Sequence, residues 1–422
     1  MTGSAAALLA RSGRRVVSSW IAFAVLAVSL AVHIFVMAHG QDGLAMIDLR
    51  VYVTAPDHLR DASLYDYVTT GDQLPFTYPP FAALVFWPLA QLPWPVVAAS
   101  WQVLNVLLVA AAGYLSLRLL GRTGTAANPA AAPLAAVPGI VALATAGALW
   151  LEPVRTTFNY GQINLLLMVV LLAGAVSTKQ WIGGTSVGLT AGVKLIPAIT
   201  GLYYLLARRY TAVLAAVLSF AVTVAVCLAV MFAPTKRYFT DLIFDPGRTG
   251  VVSAVRNQSL RGALLRLDLG AGWLLLVLVV LALALGVTAA ILSLRAGDRT
   301  AAFLAVQFTG LLVSPISWNH HWVWVLPLLL WCLFGRAAGT PLCRLLAGVW
   351  VLATVTFAIP FVAAREKLAG QQGRLLYGWE QLLSALYPFL GLITLLALIA
   401  VASRRVAASY ESKPETEPTA VS

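Results

Sequence analysis

Six aspartates, Asp42, Asp48, Asp57, Asp61, Asp66 and Asp72, share the stretch 39–78 with only two arginines, Arg50 and Arg60. The whole chain carries 16 Asp+Glu and a net charge of +12, so this acid cluster stands out. A carboxylate held at a bilayer surface can take the proton of an attacking hydroxyl as a general base. Asp48, in Ile47-Asp48-Leu49-Arg50-Val51-Tyr52, follows the turn HGQDG and is placed to open a short membrane-surface helix reaching about Arg60. It reads either as an N-cap, its carboxylate accepting backbone N–H groups, or as that base. The two are compatible, because a cap fixes a carboxylate in place. Asp66, between Tyr65 and Tyr67, is the second candidate: an aromatic-flanked acid suits a sugar, and equally an amphipathic anchor. The other four read as solvated charges. Arg50, Tyr52, Tyr65, Asp66 and Tyr78 are the substrate-binding candidates of this stretch.

A second constellation is Ser314-Pro315-Ile316-Ser317-Trp318-Asn319-His320-His321-Trp322-Val323-Trp324, which holds two of the five histidines. Neighbouring helical residues point about 100° apart, so His320 and His321 do not make a metal pair, and HxxxH spacing is absent. Either histidine can hydrogen-bond a phosphate oxygen and steady a leaving group's charge. The alternative is an interfacial anchor rich in Trp and His. Trp318 and Asn319 join the substrate-binding candidates.

The stretch 233–271 contains Lys236, Arg237, Arg248, Arg256, Arg261 and Arg266, with Arg256-Asn257-Gln258-Ser259 at its middle. Arginine forks suit a phosphate or an anionic headgroup, which makes Arg256, Asn257 and Gln258 candidates for the substrate. Lys194, inside SVGLTAGVKLIPAITGLYYLL, lies deep in an apolar segment, where a charge costs ~2.5–3.5 kcal/mol. It is a functional candidate unless it simply pairs with Glu152. Glu152, Arg155, Asn159, Gln162 and Asn164 form a polar patch that lines a cavity or satisfies broken-helix backbone. Leu74-Pro75-Phe76-Thr77-Tyr78-Pro79-Pro80-Phe81 reads as a stiff turn into the membrane.

These residues must be positioned by membrane helices. The chain has 422 residues, 60% hydrophobic and 10% charged, with mean hydropathy +0.86. Soluble domains carry about 25% charged residues, which excludes a water-soluble globule. No basic stripe supports nucleic-acid binding. Cys227, Cys332 and Cys343 suggest neither a disulfide framework nor a zinc site. The expected class is an all-α polytopic membrane protein of about twelve spans, at about 17–38, 79–92, 96–118, 134–150, 162–177, 185–206, 211–232, 272–294, 300–316, 322–335, 345–363 and 382–402, judged against ~20 apolar residues per crossing. Ten spans with re-entrant segments is the alternative, and 79–92 is the weakest crossing. The first span, after Arg11, Arg14 and Arg15, reads as a retained helix rather than a signal peptide.

The Lys/Arg bias sets Arg14/Arg15, Arg208/Arg209, Arg295/Arg299, Arg336/Arg344 and Arg404/Arg405 on the cytoplasmic side, leaving Arg118 and Arg122 awkwardly outside. That count gathers 39–78, 233–271, 314–321 and 364–380 on the outer face. The organisation expected is a cytoplasmic N-terminus (1–16), one transmembrane catalytic domain (17–403) with 39–78 as its catalytic outer loop and short juxtamembrane helices in it, and a disordered cytoplasmic tail (404–422). No internal repeat is visible.

DLRVY, LYDY, LPFTYPPFAALVFWPLA, GQINLLL, GLTAGVKLIPA and SPISWNHHWVW, in this order, resemble the actinobacterial polyprenyl-phosphate-mannose-dependent α-(1→2)-mannosyltransferases, glycosyltransferase family 87 of the GT-C superfamily. The resemblance runs from about residue 45 to about residue 335. It implies a multi-pass plasma-membrane enzyme with an extracytoplasmic catalytic face, a lipid-linked β-mannosyl phosphate donor, and a phosphatidylinositol mannoside, lipomannan or lipoarabinomannan acceptor. It also implies that Asp48 is the catalytic aspartate and that His321, or His320, contacts the donor phosphate. The Arg-rich stretch 233–271 does not align with the family motif by motif.

A β-linked donor giving an α-linked product means inversion, a single displacement needing one base. A retaining route would want a second close carboxylate as nucleophile. No cofactor is expected, and nothing in the sequence calls for a divalent cation. The rival readings are a secondary transporter or flippase, which would share interrupted helices and a midplane charge, and an accessory subunit of envelope assembly.

Overall fold

The computed structural model describes residues 19–39, 44–59, 63–121, 136–270, 272–368 and 378–411, and the regular elements among them are all helical. Extended pairing among these residues is limited to two isolated bridges, Val68 with Pro75 and Asn257 with Trp318. The expected segment 1–16, the residues after Glu411, and Arg14, Arg15, Asp42, Arg60, Asp61 and Arg122 lie outside the described residues. Helix dominates because backbone in hydrocarbon must satisfy its own N–H and C=O groups. Among the described residues, six helical stretches are long and apolar enough to cross a bilayer, Pro341–Lys367 counting as one of them.

Helix α1 (Ser19–His39) starts where Ser19 meets Gly139 and ends near the polar patch, where His33 packs on Phe158. The first loop then forms α2 (Ile47–Thr54) and a 3-10 turn, Ala55–His58. Helix α3 (Pro80–Ala90) follows the fixed φ of Pro79 and Pro80. It has 11 residues, about 16 Å at 1.5 Å per residue, against a hydrocarbon core of about 30 Å. Both ends stay beside the first loop: Tyr78 precedes it, and Trp94, just beyond it, lies under the Arg50 guanidinium at 4.1 Å. The expected crossing at 79–92 is therefore not made.

Helix α4 (Trp94–Leu119) consequently runs the other way from expectation. Near its start Gln102 donates to the Phe158 carbonyl, and further along Gly113 faces Ala144. This carries Arg118 to the end of the bundle opposite the first loop and removes the anomaly that the span count created. Helix α5 (Val137–Ala148) returns, and a 75° bend leads into α6 (Glu152–Tyr160). Helix α7 (Asn164–Val176) runs back to the opposite end.

Helix α8 (Gln180–Val193) rises and stops at Lys194, whose extended backbone (φ −151, ψ 125) breaks it. A 3-10 turn at Ile196–Ile199, with Pro197, and α9 (Thr200–Leu206) then fold back, bringing Tyr204 against Gly183. The stretch 185–206 is thus a hairpin with Lys194 near its tip, not one span. Helix α10 (Tyr210–Val230) lies against α8, with Gly184, Gly188 and Gly192 facing Ala212, Ser219 and Thr223 too closely for any Cβ.

The next loop holds α11 (Phe232–Thr240) and α12 (Leu260–Arg266). Helices α13 (Trp273–Arg295) and α14 (Arg299–Val313) form an antiparallel pair. Asn319–Trp324 is a 3-10 turn leading into α15 (Val325–Phe334), where the Trp331 indole donates to Asp298 at 2.9 Å. Helix α16 (Pro341–Val355) rises to α17 (Ala358–Leu368) and α18 (Gly378–Ser384). Helix α19 (Leu386–Glu411) descends and stays helical past Arg404 and Arg405, where the tail was expected to begin. A buried aromatic cluster, Phe308, Trp322, Trp350 and Tyr387, packs these last helices together.

The result is two chemically different ends. One gathers the described parts of loops 39–78, 233–271 and 314–321 and of 364–380, as expected, and adds the polar patch 152–164, which the span count had put on the other side. The opposite end carries Arg118, Lys179, Arg208, Arg209, Arg295, Arg299, Arg336, Arg344, Arg404 and Arg405.

Candidate active site

The polar patch builds the site. Helix α6 ends on Gly161, whose φ of +67 is the left-handed conformation that glycine adopts without penalty. A Cβ there would stand 2.5 Å from the Leu49 Cβ, so glycine also lets α2 lie directly against the turn. Asn159 fixes where α2 begins. Its carbonyl accepts the Met46 N–H at 2.7 Å and its Oδ1 accepts the Ala45 N–H at 3.1 Å. The N-cap is therefore Met46, in a left-handed conformation with no side-chain cap. Asp48 is the second residue of α2, so the cap reading of its carboxylate is not how this helix starts. It sits instead in the first helical turn, where the helix dipole favours negative charge, and it lines a cavity.

Around the Asp48 carboxylate, burial pushes its pKa up to about 6, against a smaller opposing pull from the Gln162 amide and the Lys194 ammonium. Gln162 is fully engaged: its Oε1 accepts from the Tyr52 hydroxyl (3.1 Å) and Lys194 (3.4 Å), and its Nε2 donates to the Tyr78 hydroxyl (3.4 Å). Lys194 also donates to Asn164 Oδ1 at 2.9 Å and stands 5.4 Å from the centre of the Tyr78 ring. It does not pair with Glu152, whose bonds go to Thr156, Asn319 and Tyr387.

The histidine turn closes over the same patch. Asn164 Nδ2 donates to the His320 carbonyl at 2.9 Å. From the other side, the Arg256–Gln258 backbone runs antiparallel to Ser317–Asn319: the Asn319 N–H donates to the Arg256 carbonyl (2.8 Å) and the Gln258 N–H to the Ser317 carbonyl (2.7 Å). Asn257 Oδ1 accepts from the Ser317 N–H, and the Gln258 side chain bonds Val255 and Ser384. Asn257 and Gln258 are fully buried and hold the turn, rather than facing the cavity. His320 and His321 are buried, yet none of their four ring nitrogens has a partner among the described residues. Burial, reinforced by Lys194, holds both rings well below the ordinary histidine pKa, so they are neutral near pH 7.

All three pieces open into one cavity of about 790 Å³. Its lining includes Asp48, Tyr78, Lys194, Arg256, Trp318, Asn319, His320 and His321 from the sequence-based set. Arg248 and Asp245 add a third cation and a second carboxylate. The remaining candidates lie elsewhere. Arg50 is exposed over Trp94. Tyr52 and Tyr65 are buried behind the wall, Tyr65 donating to the Tyr78 carbonyl at 2.9 Å. Asp66 is exposed and accepts both bonds of Arg237 at 2.7 Å. Among the described residues no three His, Cys, Asp or Glu side chains converge as a metal ion would require.

Residues 76–315 match the model of glycosyltransferase family 87. The chain belongs to glycosyltransferase family 87. It is 42% identical over 325 residues, 74% of this chain and 72% of the relative, to a polyprenol-phosphate-mannose-dependent alpha-(1-2)-phosphatidylinositol pentamannoside mannosyltransferase of Mycobacterium tuberculosis. A protein of the same description from Mycolicibacterium smegmatis is 40% identical over 335 residues, 76% of this chain and 77% of that one. A phosphatidylinositol mannoside mannosyltransferase of the same donor dependence from Mycobacterium tuberculosis is 36% identical over 267 residues, 62% of each chain. No solved structure matches.

This family 87 glycosyltransferase therefore has cavity groups that sequence reasoning undervalued. Gln162, in the lining, and Asn164, behind it, were visible as polar residues in an apolar run, but the span count set them at the end opposite the first loop. Arg248, which also donates to the Phe76 carbonyl at 3.1 Å, was one arginine among five in its loop. Tyr160, beneath Arg256 at 5.6 Å, carried no signal beyond its place beside Gly161.

Proposed function

We propose that this glycosyltransferase moves mannose from a polyprenyl-phosphate-mannose donor to a hydroxyl of a phosphatidylinositol mannoside, forming an α-(1→2) linkage with inversion. The observation that carries the reading is that Asp48, Lys194, Arg256 and the His320–His321 pair line one cavity in a chain 40–42% identical to enzymes of that description. Asp48 is the general base, His321 the donor-phosphate contact and His320 its alternative. The acceptor oxygen attacks the anomeric carbon while its proton passes to Asp48. The bond from that carbon to the phosphate oxygen breaks, and its electron pair leaves on polyprenyl phosphate. A phosphate leaves without a protein acid, so Lys194, Arg256 and the histidine N–H groups need only stabilise its charge. The displacement calls for no divalent cation.

The membrane arrangement belongs to the same proposal. The cavity end faces outside the plasma membrane and the arginine-rich opposite end faces the cytoplasm, as the positive-inside rule favours. A GT-C arrangement of about twelve crossings fits if 79–92 is an interfacial helix and 180–206 supplies two legs. Family membership weighs against the transporter and accessory-subunit readings.

The test is transfer from labelled polyprenyl-phosphate mannose to a phosphatidylinositol mannoside in membranes. Asp48→Asn is expected to lower transfer by about 10²–10⁴-fold while donor binding is kept. Asp66→Asn, whose carboxylate is already taken by Arg237 at the surface, is expected to stay close to wild type. A stably expressed, fully active Asp48→Asn enzyme would remove the base assignment.

A further inference from the structure

Glu152 is fully buried, and none of the described ion pairs includes it. Its two oxygens are filled by neutral donors: Oε1 accepts from Asn319 Nδ2 (2.5 Å) and from Thr156 (2.5 Å), and Oε2 accepts from the Tyr387 hydroxyl (2.7 Å). Burying a carboxylate with no cation bonded to it is expensive, so its placement needs a reason. A membrane-embedded acid of this kind is a functional candidate by default.

Asn319 supplies the reason. It precedes His320 directly, its backbone N–H is held by the Arg256 carbonyl, and its side chain reaches down to Glu152. Asn164 and Thr157 also link the patch to this turn, both donating to the His320 carbonyl, at 2.9 and 3.5 Å. The hydrogen-bond geometry within a 3-10 turn is poorer than in an α-helix, so bonds from outside the turn help to set its orientation. We infer that Glu152 is a positioning residue: through Asn319 it sets the angle at which His320 and His321 face the cavity. This rests on the proposed reading that the histidine turn meets the donor phosphate.

The experiment compares kcat and both KM values for Glu152→Gln, Glu152→Ala, Asn319→Ala, the Glu152→Ala/Asn319→Ala double variant and Tyr387→Phe, with thermal unfolding of each. Glutamine retains an oxygen for Asn319, so Glu152→Gln is expected to keep most of the activity. Glu152→Ala is expected to lose kcat by tenfold or more with the acceptor KM unchanged. The double variant should be no slower than the worse single variant, because both remove one interaction. Tyr387→Phe removes the bond on the far oxygen and is expected to lower thermal stability with little change in kcat.

Multiplying losses in the double variant, a Glu152→Gln enzyme as slow as Glu152→Ala, or a Tyr387→Phe enzyme as slow as Asn319→Ala would overturn the positioning role. Should Glu152→Ala fail to fold, Asn319→Ala and Tyr387→Phe still separate the two oxygens. If His320→Ala and His321→Ala both transfer at the wild-type rate, the underlying reading fails instead.

Discussion

Gly161 and Leu49 touch where the two halves of the site meet: a Cβ added to Gly161 would lie 2.5 Å from the Leu49 Cβ. Gly161 also holds a φ of +67, which an alanine adopts only under strain. Gly161→Ala is expected to push α2, and Asp48 with it, away from Gln162. Transfer should fall at least tenfold, since small misplacements of reacting groups are costly, and the unfolding temperature should drop. Leu49→Gly in the same protein removes the Cβ that the new alanine would meet but not the backbone strain, so it should recover part of the lost activity. Wild-type rates in Gly161→Ala would show that α2 need not lie so close.

With Asp48 as the proposed base, transfer is expected to depend on pH with a definite sign. A base works as its carboxylate, and this carboxyl group titrates at about 6 in the free protein. The ratio kcat/KM is expected to be low at pH 5, to rise through about 6 and to level off above 7. The stability sign is opposite. A carboxyl group whose pKa is raised by folding destabilises the fold once it ionises, so Asp48 costs stability increasingly as pH rises from its ordinary value through about 6. Asp48→Asn should therefore unfold at a higher temperature than wild type at pH 7.5 while losing transfer. Thermal scans of the two proteins at pH 5 and 7.5 read this out: the gain should shrink at pH 5.

His321 is held neutral by burial, so in the role proposed for it the ring is a fixed donor rather than a titrating acid. His321→Ala is expected to lower kcat on the order of 10²-fold, the usual loss for one preorganised donor to developing charge. The apparent pKa near 6 in kcat/KM should stay where it is, because that limb belongs to Asp48. A pH profile that loses its limb in His321→Ala would reassign the titration to the histidine.

The corrected chain path predicts a labelling pattern. Gln91, just after α3, is exposed beside the first loop, and Lys179, before α8, is exposed at the opposite end. The native cysteines Cys227, Cys332 and Cys343 are buried. With a membrane-impermeant thiol reagent added to intact cells, Gln91→Cys and Asp66→Cys should label together and Lys179→Cys should not. Labelling of Gln91→Cys from the cytoplasmic side alone would restore the crossing at 79–92.

What the sequence disclosed, and what it hid, follows from how far each signal reaches along the chain. Asp48, Lys194 and the histidine pair were visible because polar residues in an oily chain are costly and so need a purpose. The patch 152–164 was visible for the same reason but was placed on the wrong side. The stretch 79–92 is apolar enough to pass as a span, and only its prolines and its 11-residue helix betray that it does not cross. Lys194 was seen as a buried charge, whereas its extended backbone, which turns 180–206 into a hairpin, was not. Asn257 and Gln258 looked like ligand groups because they flank Arg256. They are consumed by the backbone of Ser317 and by Val255 and Ser384, since a buried irregular turn must satisfy its own polar groups. A pairing between 257 and 318 leaves no periodic trace.

The run from Glu152 to Asn164 serves both sides of the cavity: Asn159 and Gln162 hold the stretch around Asp48, while Glu152 and Asn164 hold the histidine turn. The spacing between Asp48 and the histidine turn is thus ruled by a single gauge rather than by two loops finding each other. One residue inserted into α6 would rotate everything beyond it by about 100°, detuning both ends at once. The facing wall, from α11 to Gly250, is tied to the first loop instead, Arg237 to the Asp66 carboxylate and Arg248 to the Phe76 carbonyl.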